Sequence, residues 1–248
     1  MVEIVLAGAF TGVLSGFFGI GGGTILVPLL IMIGFDIKDA IGISVVQMLM
    51  ASLYGSYINK KSGLIDLSLI VPIGIGGFLG ALGSSYFVKH VSSQLLEGLF
   101  LLFVLYAIYR VVQHNPESGG DSDFQSPSKY ILLLIGATIG FFSISIGVGG
   151  SLLLVPILVG FFHYDIKKAI ATGLFFVIFS SLSGVITFAL HGNILYFEGV
   201  TIGISALFGV RLGIWLGHIS SNKIRKLLLL LFYIGVATYL AYRFLETL

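Results

Sequence analysis

The sequence predicts an all-α polytopic membrane protein built from two inverted repeats. Each repeat holds a glycine-broken helix, re-entrant or discontinuous, followed by three transmembrane helices. Three observations lead there. The chain is 57% hydrophobic and 10% charged, with a mean hydropathy of +1.08. Apolar stretches long enough to cross a hydrocarbon core, about 20 residues each, recur along its whole length. And one unusual stretch appears twice. Phe17-Phe18-Gly19-Ile20-Gly21-Gly22-Gly23-Thr24-Ile25-Leu26-Val27-Pro28 returns as Ser145-Ile146-Gly147-Val148-Gly149-Gly150-Ser151-Leu152-Leu153-Leu154-Val155-Pro156, with Gly19, Gly21, Gly22, Leu26, Val27 and Pro28 recurring 128 positions later.

The composition excludes several classes. A β-barrel would show alternating segments of about ten residues, which are absent. The 34 glycines suit close helix packing in lipid, where small residues let backbones approach. Net charge is +2 and scattered, so no nucleic-acid partner is expected. Cysteine is absent, which removes disulfides, thiol catalysis and cysteine metal sites. Met1-Val2-Glu3-Ile4 lacks the basic region of a signal peptide, so the first apolar segment is expected to stay in the mature chain.

Taken in order, the first apolar stretch runs from about Val2 to Gly34, roughly 50 Å if helical throughout. That is too long for one simple span and short for two. A glycine costs about 1 kcal/mol per helical position relative to alanine, so the cluster at 19–23 predicts a break near mid-membrane. Backbone that is not helical survives at that depth only when buried in protein or lining a wet cavity. Helices follow at about Ala40 to Ile58, Leu67 to Val88 and Leu95 to Val112. Residues 113–128, with Pro116, Pro127, glycines and acids, read as a flexible cytoplasmic linker between repeats 1–112 and 129–248. In the second half, Asp165-Ile166-Lys167-Lys168-Ala169-Ile170 answers Asp36-Ile37-Lys38-Asp39-Ala40-Ile41, and His218-Ile219-Ser220-Ser221 answers His90-Val91-Ser92-Ser93. Its helices are expected at about 166–190, 196–217 and 223–244.

Lys and Arg favour the cytoplasmic side. If each broken stretch returns to the face it entered, Lys60, Lys61, Arg110, Lys129, Lys167, Lys168, Lys223, Arg225 and Lys226 collect on one side. Lys38, Lys89 and Arg243 remain on the other. Single crossings would split the same cations almost evenly. The hairpin arrangement is therefore preferred, with inverted halves, both termini outside, and the two glycine tips approaching the midplane from opposite faces of the cell (inner) membrane.

In that arrangement a helix starts at each tip, near Thr24 and Ser151, with its N-terminus pointing inward. A helix N-terminus carries unpaired N–H groups and about half a positive charge, a ready anion site. Gly19, Gly21, Gly22, Gly23, Gly147, Gly149 and Gly150 let backbone N–H groups approach a ligand, and Thr24 and Ser151 add hydroxyls. The plainer reading is that the glycines only permit tight crossing. Arg211, inside the 196–217 helix, either faces a cavity and pairs with an oxyanion or snorkels to the headgroups. Gln47, with Ser44 one turn away and Thr172 near the matching place, either donates to a substrate or bonds a neighbouring helix. The histidines fall at helix ends, too dispersed for a metal site, and no cofactor is implied. No carboxylate falls mid-span, and there is no phosphate loop of the Gly-x-x-x-x-Gly-Lys-Ser/Thr kind. Export of an anion needs neither, since moving one negative charge outward gains about 2.3 kcal/mol per 100 mV.

Gly19-Ile20-Gly21-Gly22-Gly23 running to Val27-Pro28, with its echo from Gly147 to Pro156, resembles the sulfite exporter TauE/SafE family of membrane permeases. Ala40-Ile41-Gly42-Ile43-Ser44 and Ala169-Ile170-Ala171-Thr172-Gly173 are similar to that family's Ala-x-Gly-Thr-Ser pattern. Ile43 stands where the pattern has Thr, and Gly173 where it has Ser. The resemblance implies transport of small sulfur-containing anions such as sulfite or organosulfonates. Its partners would then be a small anionic substrate and the bilayer, with a homo-oligomer compatible. Alternatives are a cation or metal permease using unwound carbonyls, an anion channel, and an intramembrane enzyme. The last would need a nucleophile–base pair at membrane depth, and no mid-span His, Cys or Asp is available, so no enzyme is expected.

Overall fold

The computed structural model describes residues 2–19, 21–61, 63–64, 66–113, 127–162, 164, 166–192, 194–220 and 222–246. Regular structure among them is entirely helical: α1 (Val2–Phe18), α2 (Gly23–Ile33), α3 (Ile37–Lys61), α4 (Leu67–Ala81), α5 (Ser84–His90), α6 (Ser93–Gln113), α7 (Lys129–Ser145), α8 (Ser151–Phe162), α9 (Ile166–Leu190), α10 (Tyr196–Ile219) and α11 (Asn222–Glu246). All but the ends of the expected 113–128 linker lies outside the described residues.

The expected breaks are present in both halves. Gly19, Gly21 and Gly22 have φ of +67°, +77° and +82°, and Gly147, Gly149 and Gly150 repeat this with +73°, +82° and +82°. A residue bearing a Cβ loses about 1–2 kcal/mol in that left-handed region, so three such positions in four demand glycine. Helix geometry resumes identically in each copy. Leu26 donates its N–H to the Gly22 carbonyl and Leu154 to the Gly150 carbonyl, both at 2.9 Å.

Glycine contacts set the direction of the helices. Along α1, a Cβ at Gly8 would meet Ile202 and Ser205, at Gly12 Ala206, and at Gly16 Val210 and Ile214. Both numberings rise together, so α1 and α10 are parallel and touch backbone to backbone. Gly136 against Ile73, Gly80 against Ala137 and Gly83 against Phe141 make α7 and α4 the matching parallel pair. Each half's broken stretch therefore packs on the other half. α10 is also parallel to α3, with Gly199 beside Val46 and Gly203 beside Met50, whereas α3 and α9 are antiparallel, with Gly55 opposite Leu174 and Gly184 opposite Val45.

These directions fix what happens at the first tip. α1 runs the same way as α3. α2 runs the other way, because Gly22 lies beside Gln47 while its far end joins α3 through 34–36. The chain reverses at the glycines. In the second half Ser151 lies beside Gly173, and α8 leads back to the start of α9 in the same manner.

One expected helix is divided. The stretch from Leu67 to Val88 breaks at Leu82-Gly83, where Leu82 and Gly83 donate N–H to Leu79 and Gly80 carbonyls at 3.3 and 3.4 Å. These are tight i→i+3 bonds of poor geometry, placed after a helix interior already weakened by Gly74, Gly76, Gly77 and Gly80. Its counterpart α10 is unbroken over 24 residues. Among the described residues four spans are long and apolar enough to cross a membrane: Ile37–Lys61, Leu67–His90, Lys168–Leu190 and Tyr196–Gly217. They form two repeat-related pairs. The surface carries large exposed apolar side chains, among them Leu134, Leu190, Phe208 and Trp215. Water would penalise such a surface, and lipid does not.

Candidate functional site

The two tips meet where α3 and α9 cross. Thr24 Oγ1, on the first turn of α2, donates to the Val148 carbonyl at 3.4 Å. Ser44 Oγ donates to Ile41 O at 2.8 Å and reaches Gly147 O at 3.4 Å. A Cβ at Gly23 would strike the Gly147 carbonyl, and one at Gly21 would sit 3.8 Å from Ser151 Oγ. Six glycines, Thr24, Ser151, Ser44 and Gln47 thus come together. Gly19 lies at the edge of the group, against Ile170.

The repeat orders the surroundings. A Cβ at Gly21 would come 3.2 Å from Val177, and one at Gly149 2.6 Å from Met48 Sδ, so each tip reaches across to the other half. Gly22 and Gly150 instead face their own halves. Gly22 abuts the Gln47 amide, with Nε2 at 2.7 Å and Oε1 at 2.8 Å from the Cβ position, and Gly150 abuts the Phe176 ring. Met48 and Val177 are 129 positions apart, as are Gln47 and Phe176. One side of the site is therefore an amide and the other a phenyl ring. Sequence reasoning named Gln47 and missed Phe176, Met48 and Val177, although carrying the repeat offset through α3 and α9 finds them.

Hydrogen bonding in this cluster is incomplete. Gln47, Ser151 and Thr172 are completely buried, yet both amide atoms of Gln47, Ser151 Oγ and Thr172 Oγ1 have no partner. Each such group costs about 1–3 kcal/mol, and buried polar groups are otherwise nearly always paired. Ser15 and Ser143, 128 positions apart and about one turn before each break, are buried and unpartnered too. The sequence reading did not single them out. Helix ends supply the rest. Gly22 offers α2 no side-chain cap, so the first N–H groups of that helix face the junction without an intrahelical acceptor.

The charged candidate stands apart. Arg211 is exposed on α10, between the exposed Phe208, Leu212 and Trp215, while Val210 and Gly213 face α1. It is not part of the tip cluster. His191 is exposed at the end of α9, its Nδ1 2.9 Å from Ser85 Oγ, and His90 Nδ1 lies 2.8 Å from the Tyr86 carbonyl. His163, Asp165 and Asn193 lie outside the described residues. Among the side chains whose burial is described no Lys, Arg or His is buried, and among the described residues no group of His, Asp or Glu is placed to hold a metal ion.

The sulfite exporter TauE/SafE family matches residues 4–240, nearly the whole chain. The chain belongs to the TauE/SafE family. Its relatives include a probable membrane transporter protein of Methanocaldococcus jannaschii, 28% identical over 75% of this chain and 71% of the relative. The probable membrane transporter proteins YunE and YdhB of Bacillus subtilis are each 25% identical, over 86% of both chains for YunE and over 91% of this chain and 92% of the relative for YdhB. No solved structure matches. Membership makes this TauE/SafE protein a membrane transporter, and its apolar helices suit a membrane.

Proposed function

We propose that the protein is a permease for small sulfur-containing anions, sulfite or an organosulfonate, moving them outward through a site at the membrane midplane between two re-entrant glycine tips. The carrying observation is the set of buried, unpartnered groups on Gln47 and Ser151 beside two inward helix starts. Such groups stay costly until a ligand meets them. An oxyanion does so, accepting from Nε2, from the Ser151 hydroxyl and from backbone N–H groups at Gly23 and Ser151. Glycines at the tips bring that backbone to the ligand.

The inverted-repeat reading is supported by the antiparallel α3 and α9 and by the reciprocal pairing of α1 with α10 and α7 with α4. Inversion gives the site two related approaches from opposite faces, as in transporters whose broken helices meet at a repeat interface. Export follows the inside-negative potential, which drives an anion outward. The cell membrane, with both termini outside, is the setting this implies.

Sulfite flux into proteoliposomes with an imposed potential tests the reading, comparing wild type with Gly22→Leu. Potential-sensitive sulfite movement that the inserted, folded variant lacks is the expected result. A cation passing instead of any sulfur anion would overturn the substrate class. Equal transport by the variant would make the tips packing devices.

A further inference from the structure

The unpartnered groups at the tips include an acceptor that no bare oxyanion can satisfy. An amide presents a donor NH2 and an acceptor oxygen. Both ends of Gln47 are buried, unpartnered and within 2.8 Å of the Cβ position at Gly22. However the amide is turned, one acceptor faces the tip. The Ser151 hydroxyl adapts to either role. On the opposite side Phe176 offers neither.

Charge sets a second limit. Each helix N-terminus contributes about half a positive charge, so the two starts at Gly23 and Ser151 amount to about one. No buried Lys, Arg or His among the side chains whose burial is described adds to it. One unit of positive charge balances a single negative charge and leaves a dianion half uncompensated in a poorly solvated centre.

Resting on the reading of the tips as an anion site, we propose that the permease selects a singly charged oxyanion bearing its own hydrogen-bond donor, taken up by Gln47 Oε1. Hydrogen sulfite fits and the sulfite dianion does not. Among organosulfonates, one with a hydroxyl fits better than an alkyl sulfonate of the same charge. Gln47 discriminates through its acceptor, and Phe176 covers the ligand's apolar side.

The test uses wild-type protein in proteoliposomes at fixed potential, with equal pH on both sides. Sulfite flux is measured on both sides of neutral pH, where hydrogen sulfite gives way to the dianion, and in competition with isethionate, ethanesulfonate and sulfate. Isethionate and ethanesulfonate share one charge and nearly one size, and differ by a hydroxyl. The expected result is flux proportional to hydrogen sulfite, with isethionate competing about tenfold or more better than ethanesulfonate, as a site that hydrogen-bonds a ligand hydroxyl discriminates. Sulfate should not compete, and Gln47→Met should erase the isethionate preference. Equal competition by the two sulfonates, or flux that rises with the dianion, overturns this inference while leaving an anion site at the tips. If no sulfur oxyanion moves or competes, the proposed function falls and this inference with it.

Discussion

Gly22→Ala separates backbone strain from disturbance of the site, because a matched control exists elsewhere in the chain. Gly22 has φ +82° and Gly63 has φ +69°. Alanine at either position therefore incurs a similar penalty of about 1–2 kcal/mol for left-handed backbone. Their surroundings differ. The Cβ at Gly63 meets nothing within 4 Å, whereas at Gly22 it lies 2.7 Å from Gln47 Nε2 and 2.8 Å from Oε1. Ordinary contact begins at 3.4 Å, so the amide must retreat by about 0.7 Å (3.4 minus 2.7). Misplacement of about 1 Å costs on the order of 100-fold where geometry governs rate. Both variants should lose a few degrees of thermal stability in detergent, Gly22→Ala the more because it also displaces a buried amide. Gly63→Ala should keep wild-type sulfite flux in proteoliposomes, and Gly22→Ala should lose about tenfold or more. Equal flux from the two variants would refute the reasoning, since the Gln47–Gly22 contact would then not matter to transport.

Three further outcomes follow from the same structure. Ser151→Ala removes a buried hydroxyl that has no partner, so thermal unfolding should show stability unchanged or raised by about 1 kcal/mol while the KM for sulfite rises. Gly80→Leu drives a side chain into the Ala137 carbonyl at the α4–α7 contact, and backbone cannot step aside. It should abolish folded protein by size-exclusion chromatography, whereas Gly235→Leu, with nothing within 4 Å, should not. Arg211→Gln should transport sulfite at the wild-type rate, because Arg211 is exposed on the outer face of α10.

The parts of the fold that were readable from the sequence share one cause, a repeat with a nearly constant offset. It placed both breaks, matched the tips and marked Thr24, Ser151 and Gln47 for the same region. Much of the rest was hidden because lipid-facing and core-facing sides of these helices are equally apolar, so periodicity could not orient them. Arg211 illustrates this. Its neighbours Phe208, Leu212 and Trp215 read like core residues and are exposed. Glycine patterns likewise reveal that a helix face is close-packed but not what lies against it, so the pairing of α1 with α10 and α7 with α4 was not foreseen. The division between α4 and α5 was missed because glycines weaken a helix without saying whether it breaks. Phe176 escaped notice because an aromatic among apolar residues carries no signal until its repeat partner, Gln47, is seen to be polar.

The central claim is that the two tips hold the substrate, and calorimetric titration of hydrogen sulfite into the purified protein addresses it most directly. Wild type and Arg211→Gln should bind alike, while Gly22→Ala, folded and of known thermal stability, should lose most of the binding. Undiminished binding by Gly22→Ala, or binding lost with Arg211→Gln instead, would contradict the account and move the site away from the tips.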